Sequence, residues 1–344
     1  MKLKLKKDIW NLFCIDQPLF DILALPVLAT ESNEKEKTQA YTSDTSNTSG
    51  ACFSSSFSQV ISSTRKITNI TPKLPFYTFM ADPFCFQKDE KIYLFTEFFD
   101  YRTRHGIIEC LTFNTQMTLL ERRPVLSEPW HLSYPYVIED NEEIYMLPES
   151  SKTGNLFLYR ATSFPNRWER VLRLDLGHDI PIDATPVRYN NMWWLFYLQA
   201  STRQHTLHAA YSHTLYGPWT CYHQNPILVG TSSARPGGTP ITLPDGRLVL
   251  PVQDCSQTYG GTIHPLVFDT LTPEHIYCHA YTKSHLGEYT PQGLPPFTRG
   301  THTLCALGEK TIFDAKAIDL SPRGIFIQCV REIPFVGKNL AHKL

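Results

Sequence analysis

The chain has 344 residues, 42% of them hydrophobic, and a formal net charge of −1. That length suits one large all-β domain or two small ones, and the balanced charge gives no signal of the concentrated basic surface that captures nucleic acid, so no nucleic-acid partner is expected. Nine cysteines are widely spaced with no CxxC pair, which argues against a zinc ribbon or a disulfide scaffold and for scattered buried thiols in a reducing compartment.

The N-terminus opens MKLKLKK, a basic start of the kind a signal peptide has. The following DIWNLFCIDQPLFDIL carries Asp8, Asp16 and Asp21, so no clean apolar region forms and no small-residue cleavage site follows. No apolar run is long enough to span a bilayer. A soluble, cytoplasmic protein with no transmembrane segment is expected, held at most loosely near a membrane by its basic start. Residues 1–29 read as a strand or short helix with a Pro-rich exit, packing on or closing the domain that follows. Residues 30–65 change character. Ser, Thr, Asn, Lys and Glu dominate them, and such a segment buries too little apolar surface to offset its ordering entropy. A disordered insertion is expected there.

Residues 66–344 carry a repeat. Five segments align: MADPFCFQKDEKIYLFTEFFD from Met80, LSYPYVIEDNEEIYMLPESS from Leu132, IDATPVRYNNMWWLFYLQAS from Ile182, PGGTPITLPDGRLVLPVQDCS from Pro236, and RGTHTLCALGEKTIFDAKAID from Arg299. Each has a small, polar or acidic residue, then Pro (His302 in the fifth), a short strand, a polar turn and an aromatic or aliphatic strand. That is a β-hairpin by pattern and turn chemistry. Pro83, Pro135, Pro186, Pro240 and His302 stand 52, 51, 54 and 62 residues apart, which is room for one four-stranded blade per repeat. GIIECLTFN, NLFLYRAT, TLHAAYSH and HPLVFDTL supply further strands between the hairpins. The expected fold is all-β, a five-bladed β-propeller. A β-sandwich or two small β domains is the alternative that strand periodicity alone leaves open, and the recurring hairpin favours the propeller over it.

The start Ala81-Asp82-Pro83 followed by IYLF resembles the first blade of the five-bladed-propeller glycosidases, the arabinanase/β-xylosidase and invertase types. The loop Leu215-Tyr216-Gly217-Pro218-Trp219, then Asn225-Pro226-Ile227, is similar to one that closes a blade in those enzymes. A nearer likeness lies in ADPF, SYP, YMLPESS, IDAT, WWLF, SARPGG, PVQDCSQTYG and GTHT. Together they resemble the propeller domain of the plant glucosamine inositolphosphorylceramide transferases and of bacterial relatives, some free-standing and some fused to formyltransferase-like domains. The likeness covers nearly all of the chain outside residues 30–65. In the plant proteins the sugar-transferring domain is separate and C-terminal, and the present chain is expected to lack it. The resemblance therefore implies the propeller and a place in sugar, lipid-sugar or surface-polysaccharide metabolism, with a carbohydrate or sugar-phosphate ligand and a separate glycosyltransferase or formyltransferase as partner.

In a propeller the innermost strands line the central channel, which places Asp82, Tyr134, Asp183, Gly238 and Thr301 near one mouth. Glycoside hydrolysis needs a base or nucleophile and a proton donor of raised pKa. The resemblance implies Asp82 as base or nucleophile and Asp183 as a sugar-binding or charge-stabilising carboxylate. It fails for the donor: the fourth blade offers Arg235 where the glycosidases place a Glu. Glu149 and Glu97 are the remaining candidate acids. Arg235 suits a phosphate or carboxylate clamp. Tyr134 and Trp130 are candidates for stacking on a sugar face, and Gln253, Asp254 and His302 for further ligand contacts. Each has a structural alternative: Asp82 as a turn residue, Glu97 and Glu149 paired with Arg102, Arg104 or Lys152, Gln253 and Asp254 satisfying backbone groups, Arg235 in an inter-blade ion pair, and His302 as a hydrogen-bonded core residue. Trp193 and Trp194 are expected to pack between blades. No phosphate-cradling loop, nucleophile elbow or metal-ligand spacing appears, so neither cofactor nor metal is expected. The residues favour a carbohydrate-active enzyme of glycosidase or glycosyl-transfer type, with a non-catalytic sugar-binding accessory and a protein-interaction propeller as the other readings.

Overall fold

The computed structural model describes residues 7–24, 27–28, 66–177, 179–202, 206–281, 294–323 and 326. The insertion expected over residues 30–65 lies outside them. The repeated hairpins are the local unit of the fold. Asp89-Glu90, Asn141-Glu142 and Asn190-Asn191 each adopt positive φ at both positions, the two-residue turn whose twist matches that of the strands it joins. They set the registers Lys88↔Lys91, Asp140↔Glu143 and Tyr189↔Met192.

Each hairpin grows into a sheet. The first blade runs Thr78–Lys88, Lys91–Asp100, His105–Asn114 and Leu119–Leu126 from inside to outside. The second runs Ser133–Asp140, Glu143–Glu149, Leu156–Ser163 and Arg167–Leu174. In the third, Pro181–Tyr189, Met192–Gln199 and Thr206–Ser212 are followed by the short Thr220–Cys221 and Leu228–Val229. The inner edge of the fourth is split into Arg235–Pro236 and Ile241–Thr242, which both pair with Leu248–Asp254; Thr262–Leu271 and Ile276–Ala280 complete it. The five-bladed propeller is thus the fold of this chain.

The fifth blade joins the two ends of the propeller. Leu304–Leu307 and Lys310–Asp319 come from its end, while Lys7–Ile15 and Ile67–Asn69 come from its beginning. Lys7–Ile15 pairs along its whole length with Lys310–Asp319. The buried Lys7 ammonium closes that edge on Asp319 at 3.2 Å. Residues 19–24 are helical, and Leu19, Ile22 and Leu23 enter the cleft between blades four and five.

An apolar cluster fills each of the five clefts between neighbouring blades. A middle strand therefore faces apolar neighbours on both sides and loses the alternation of a half-exposed strand. Met192–Gln199 is buried at every position after the first, with Trp193 and Trp194 serving the clefts on opposite sides. Outer strands such as Arg167–Leu174 remain largely open to solvent. The described cysteines are all free thiols.

Candidate functional site

The site begins with a backbone device. At the same point of the first three inner strands the pairing slips at a β-bulge, between Ala81 and Phe84, Ser133 and Tyr136, and Ile182 and Thr185. The bulged residues Asp82, Tyr134 and Asp183 have φ of 54°, 46° and 49°. Left-handed backbone costs an L-residue on the order of 1–2 kcal/mol, least for Asp and most for a bulky residue such as Tyr. The fourth blade uses Gly238 at this point, with φ 135°. A Cβ there would lie 1.9 Å from the Leu304 carbonyl oxygen, so only glycine lets blades four and five approach.

The bulges present groups that tie the blades together around the axis. Thr303 donates to Asp82 at 3.0 Å, and the Tyr134 amide donates to the other Asp82 oxygen at 3.1 Å. The Gly238 amide donates to the Tyr134 hydroxyl at 2.9 Å, which lies 2.9 Å from the Thr185 hydroxyl. Thr185 in turn donates to the Asp183 carbonyl at 3.1 Å. Arg235 Nε donates to Asp183 at 2.6 Å, and the Thr239 amide donates to the Leu304 carbonyl at 2.9 Å. Every inter-blade boundary is crossed, and the side chains named here from Asp82, Tyr134, Asp183, Arg235 and Thr303 are buried.

Above this ring lies a cavity of about 480 Å³ with mixed polar and aromatic walls. Asp82, Glu97, Glu149 and Asp183 line it, together with Arg235, His131, His302 and Lys152. Trp10, Tyr101 and Tyr259 supply aromatic surface.

Asp82 and His302 belong to one knot. His302 Nδ1 lies 2.6 Å from Asp314 Oδ2, and its Nε2 lies 3.6 Å from Asp82 Oδ1. Asp314 also accepts from the backbone amides of Asp82, His302 and Thr303 at 3.0, 2.9 and 3.1 Å. Trp10 stacks on the imidazole with centroids 3.9 Å apart and planes 11° apart, and the Tyr259 ring meets it edge-on. Burial pushes the Asp82 carboxyl up, and the largest opposing influence is the charge of His302. Burial works against the His302 charge, but Asp314 and Asp82 outweigh it and raise the imidazole above its ordinary range. Atoms of Asp82, His302 and Asp314 that could hold a cation lie within 4.8 Å of one another, and among them His302 Nδ1 is already taken up by Asp314 Oδ2 at 2.6 Å.

Asp183 lies in a second group. Besides Arg235, the Gln253 amide approaches it at 3.4 Å while donating to the Pro236 carbonyl at 2.8 Å. Burial lifts the Asp183 carboxyl to about 6 against the pull of Arg235, so the pair is ionised at neutral pH. The Arg235 guanidinium also lies over the Tyr259 ring, 4.9 Å from its centroid.

Glu97 has the most unusual environment. It is buried, and its nearest charged-type neighbour is His131 Nε2 at 3.5 Å. The Gly106 amide donates to His131 Nδ1 at 2.9 Å, which assigns the ring proton to Nε2. Burial pushes that imidazole down to about 4, so it is neutral and lends Glu97 no charge. Burial first, and then Asp82, Glu149, Asp183 and Asp314, hold the Glu97 carboxyl well above the usual range. Glu149 differs: it accepts from the Ser133 hydroxyl at 2.9 Å and the Ser151 amide at 3.0 Å. Gly106 makes the Glu97–His131 approach possible, since a Cβ there would sit 2.7 Å from Glu97 Oε1.

The sequence candidates divide on this map. Asp82, Asp183, Glu149, Glu97, Arg235 and His302 meet in the cavity. Trp130 does not; half-buried, it packs against Phe157 in the cleft between blades one and two, away from the cavity wall. Tyr134 is 1% exposed and braces three blades through its hydroxyl, so its ring is a strut and not a platform. Gln253 supports Asp183 from behind. Asp254 is turned to the Ser256 amide and His264 Nε2, at 2.8 and 3.3 Å. Arg235 does form the inter-blade ion pair named as its alternative, while still lining the cavity. Arg102 pairs with Asp100 and not with Glu97. His131, Ser133, Lys152, Tyr259 and Trp10 were not singled out as site residues. His131 and Ser133 flank Tyr134 closely enough to be sought there. Trp10 carries no local signal, because it reaches the site only through the pairing of the N-terminal strand with the fifth blade.

Fold and cavity together define a five-bladed propeller with a carboxylate-rich funnel. The chain belongs to the family described as glucosamine inositolphosphorylceramide transferase 1, N-terminal, whose model matches residues 59–285. It is 38% identical over 206 residues to glucosamine inositolphosphorylceramide transferase 1 of Oryza sativa subsp. indica, covering 57% of this chain and 27% of that protein. It is 34% identical over 203 residues to the Arabidopsis thaliana protein of the same name, covering 57% and 26%. The match thus spans about a quarter of the length of these curated relatives. Among solved structures, a candidate glycoside hydrolase from Bacteroides ovatus superposes with a TM-score of 0.52 at 14% identity, covering 69% of this chain and 86% of that one. That likeness is one of fold.

Proposed function

We propose that the funnel binds a carbohydrate and acts at its glycosidic bond by acid–base chemistry. The observation that carries this is the unlike setting of buried carboxyls in one cavity: Glu97 sits beside a neutral imidazole and is held well above the usual carboxylate range, while Asp183 is paired with Arg235 at 2.6 Å. Pairs of carboxyls with separated proton affinities are what acid–base cleavage of an acetal requires. In this reading Glu97 gives its proton to the departing oxygen, and Asp82 takes one from the attacking hydroxyl. Asp183 and Glu149 face the positive charge that develops on the sugar or hold its hydroxyls. Trp10, Tyr101 and Tyr259 supply aromatic wall. The relatives' name, with its glucosamine and inositolphosphoryl groups, supports a sugar or lipid-linked sugar phosphate as the ligand class, and Lys152 brings a cation to the cavity wall beside the Arg235–Asp183 pair.

The test is turnover of a panel of aryl and alkyl glycosides by the wild-type protein, Glu97→Gln and Asp82→Asn. General acid assistance matters most for poor leaving groups. Glu97→Gln is therefore expected to keep activity on aryl glycosides and lose about 100-fold or more on alkyl ones, while Asp82→Asn loses both. Equal loss on both classes removes Glu97 as the donor. Sugar-dependent thermal stabilisation without turnover of any glycoside would make the funnel a binding accessory instead.

A further inference from the structure

His302 is over-determined for a core residue. Three elements fix its ring: Trp10 stacks on it from the N-terminal strand, Tyr259 meets it edge-on from the loop after Leu248–Asp254, and Asp314 takes its Nδ1 from the neighbouring strand of its own blade. Gly260 leaves room for this packing, since a Cβ there would lie 2.7 Å from the Trp10 ring and 2.8 Å from His302 Cβ. With ring plane and Nδ1 both fixed, the remaining nitrogen has one direction, toward Asp82 Oδ1 at 3.6 Å. That separation is longer than a hydrogen bond and short enough for a strong charge interaction in a buried site.

We propose that Asp314, His302 and Asp82 form a relay in which His302 is a positioning residue: Asp314 orients the imidazole, and the ring holds the Asp82 carboxylate ready to accept a proton. The proposal rests on the reading of Asp82 as the base. The relay answers a physical difficulty in that reading. Asp82 is buried beside Asp314 and near Glu97 and Asp183, and a carboxyl so placed tends to keep its proton. Other charged or titratable groups packed around the ring are Tyr259, whose backbone carbonyl accepts from Lys316, and the Lys316 ammonium itself, 5.3 Å from the Trp10 centroid. Arg235 lies beyond Tyr259 and is committed to Asp183. His302 is thus the cation aimed at Asp82. Asp314, which accepts the Asp82 amide as well as His302 Nδ1, locks the two ends of the relay to one frame.

Two measurements on the full chain test it. Ring nitrogen NMR of the ligand-free protein at pH 7 is expected to show both nitrogens of His302 protonated, and Asp314→Asn is expected to return the ring to the neutral form. A neutral His302 in the wild-type protein overturns the relay whether or not any sugar is ever turned over. So does a calcium-dependent rise in melting temperature that His302→Gln abolishes, since the cluster would then be a cation site. Where an aryl glycoside is turned over, His302→Gln is expected to move the acidic limb of the kcat/KM profile up by about one pH unit, a tenfold loss on that limb, with recovery at higher pH. A uniform loss at every pH would mean that His302 only packs. Failure to find turnover bears on the acid–base reading alone, because the NMR measurement needs no substrate.

Discussion

Replacing Glu97 by Gln should stabilise the protein, and by more at pH 7 than at pH 5. The native carboxyl is buried among Asp82, Glu149, Asp183 and Asp314 and is held well above its ordinary value of 4.5. In the unfolded chain it loses its proton near that ordinary value. Above it, the native state binds a proton that the unfolded state does not, so wild-type stability falls as pH rises until the native carboxyl also ionises. The slope is at most about 1.4 kcal/mol per pH unit for one proton. Gln has the same shape and no proton to lose, so the variant escapes this term. Between pH 5 and 7 the difference between the two proteins should grow by up to roughly 2.5 kcal/mol, or about 4 °C in melting temperature for a chain of this size. His302 and the other carboxyls titrate in both proteins and cancel to first order. Guanidinium unfolding of both at pH 5, 6 and 7 measures it. Parallel stability profiles, or a Gln variant that loses ground as pH rises, would refute the argument that Glu97 is held protonated.

Two further perturbations test the ring of inter-blade bonds by chemical denaturation. Arg235→Ala leaves the buried Asp183 without its ion-pair partner and should cost about 3–5 kcal/mol, with part of that loss recovered when Asp183→Asn is added; a coupling energy under about 0.5 kcal/mol would mean the pair is not the tie described. Tyr134→Phe strands the Gly238 amide and should cost about 1–3 kcal/mol, and an unchanged midpoint would show that the hydroxyl braces nothing.

The propeller was legible because its repeat is local. Asp89-Glu90, Asn141-Glu142 and Asn190-Asn191 are turn-formers between apolar runs, and each hairpin follows from its own dozen residues. The spacing of Pro83, Pro135, Pro186 and Pro240 then counted the blades. The same repeat aligned Asp82 and Asp183 as entry residues, but it could not show why they face the axis: that depends on left-handed bulges, which leave no compositional mark when the residue is Tyr134. Aromatic identity misled at Trp130 and Tyr134, since a ring that packs a cleft and a ring that stacks on sugar look alike in a list of residues.

The sequence by itself determined the repeated hairpins, their turns and, through their spacing of about 50 residues, the number of blades, and its motifs carried the family likeness. Only the tertiary structure decided which groups meet. Trp10, His131, Arg235, Tyr259 and Asp314 come to the funnel from segments far apart in the chain, and Trp10 arrives because Lys7–Ile15 closes the fifth blade against Lys310–Asp319. The upward shift of Glu97 comes from burial and neighbouring carboxylates, and that of His302 from Asp314 and Asp82 against burial; these surroundings, like the pairing of Asp183 with Arg235, exist only once those segments are folded against one another.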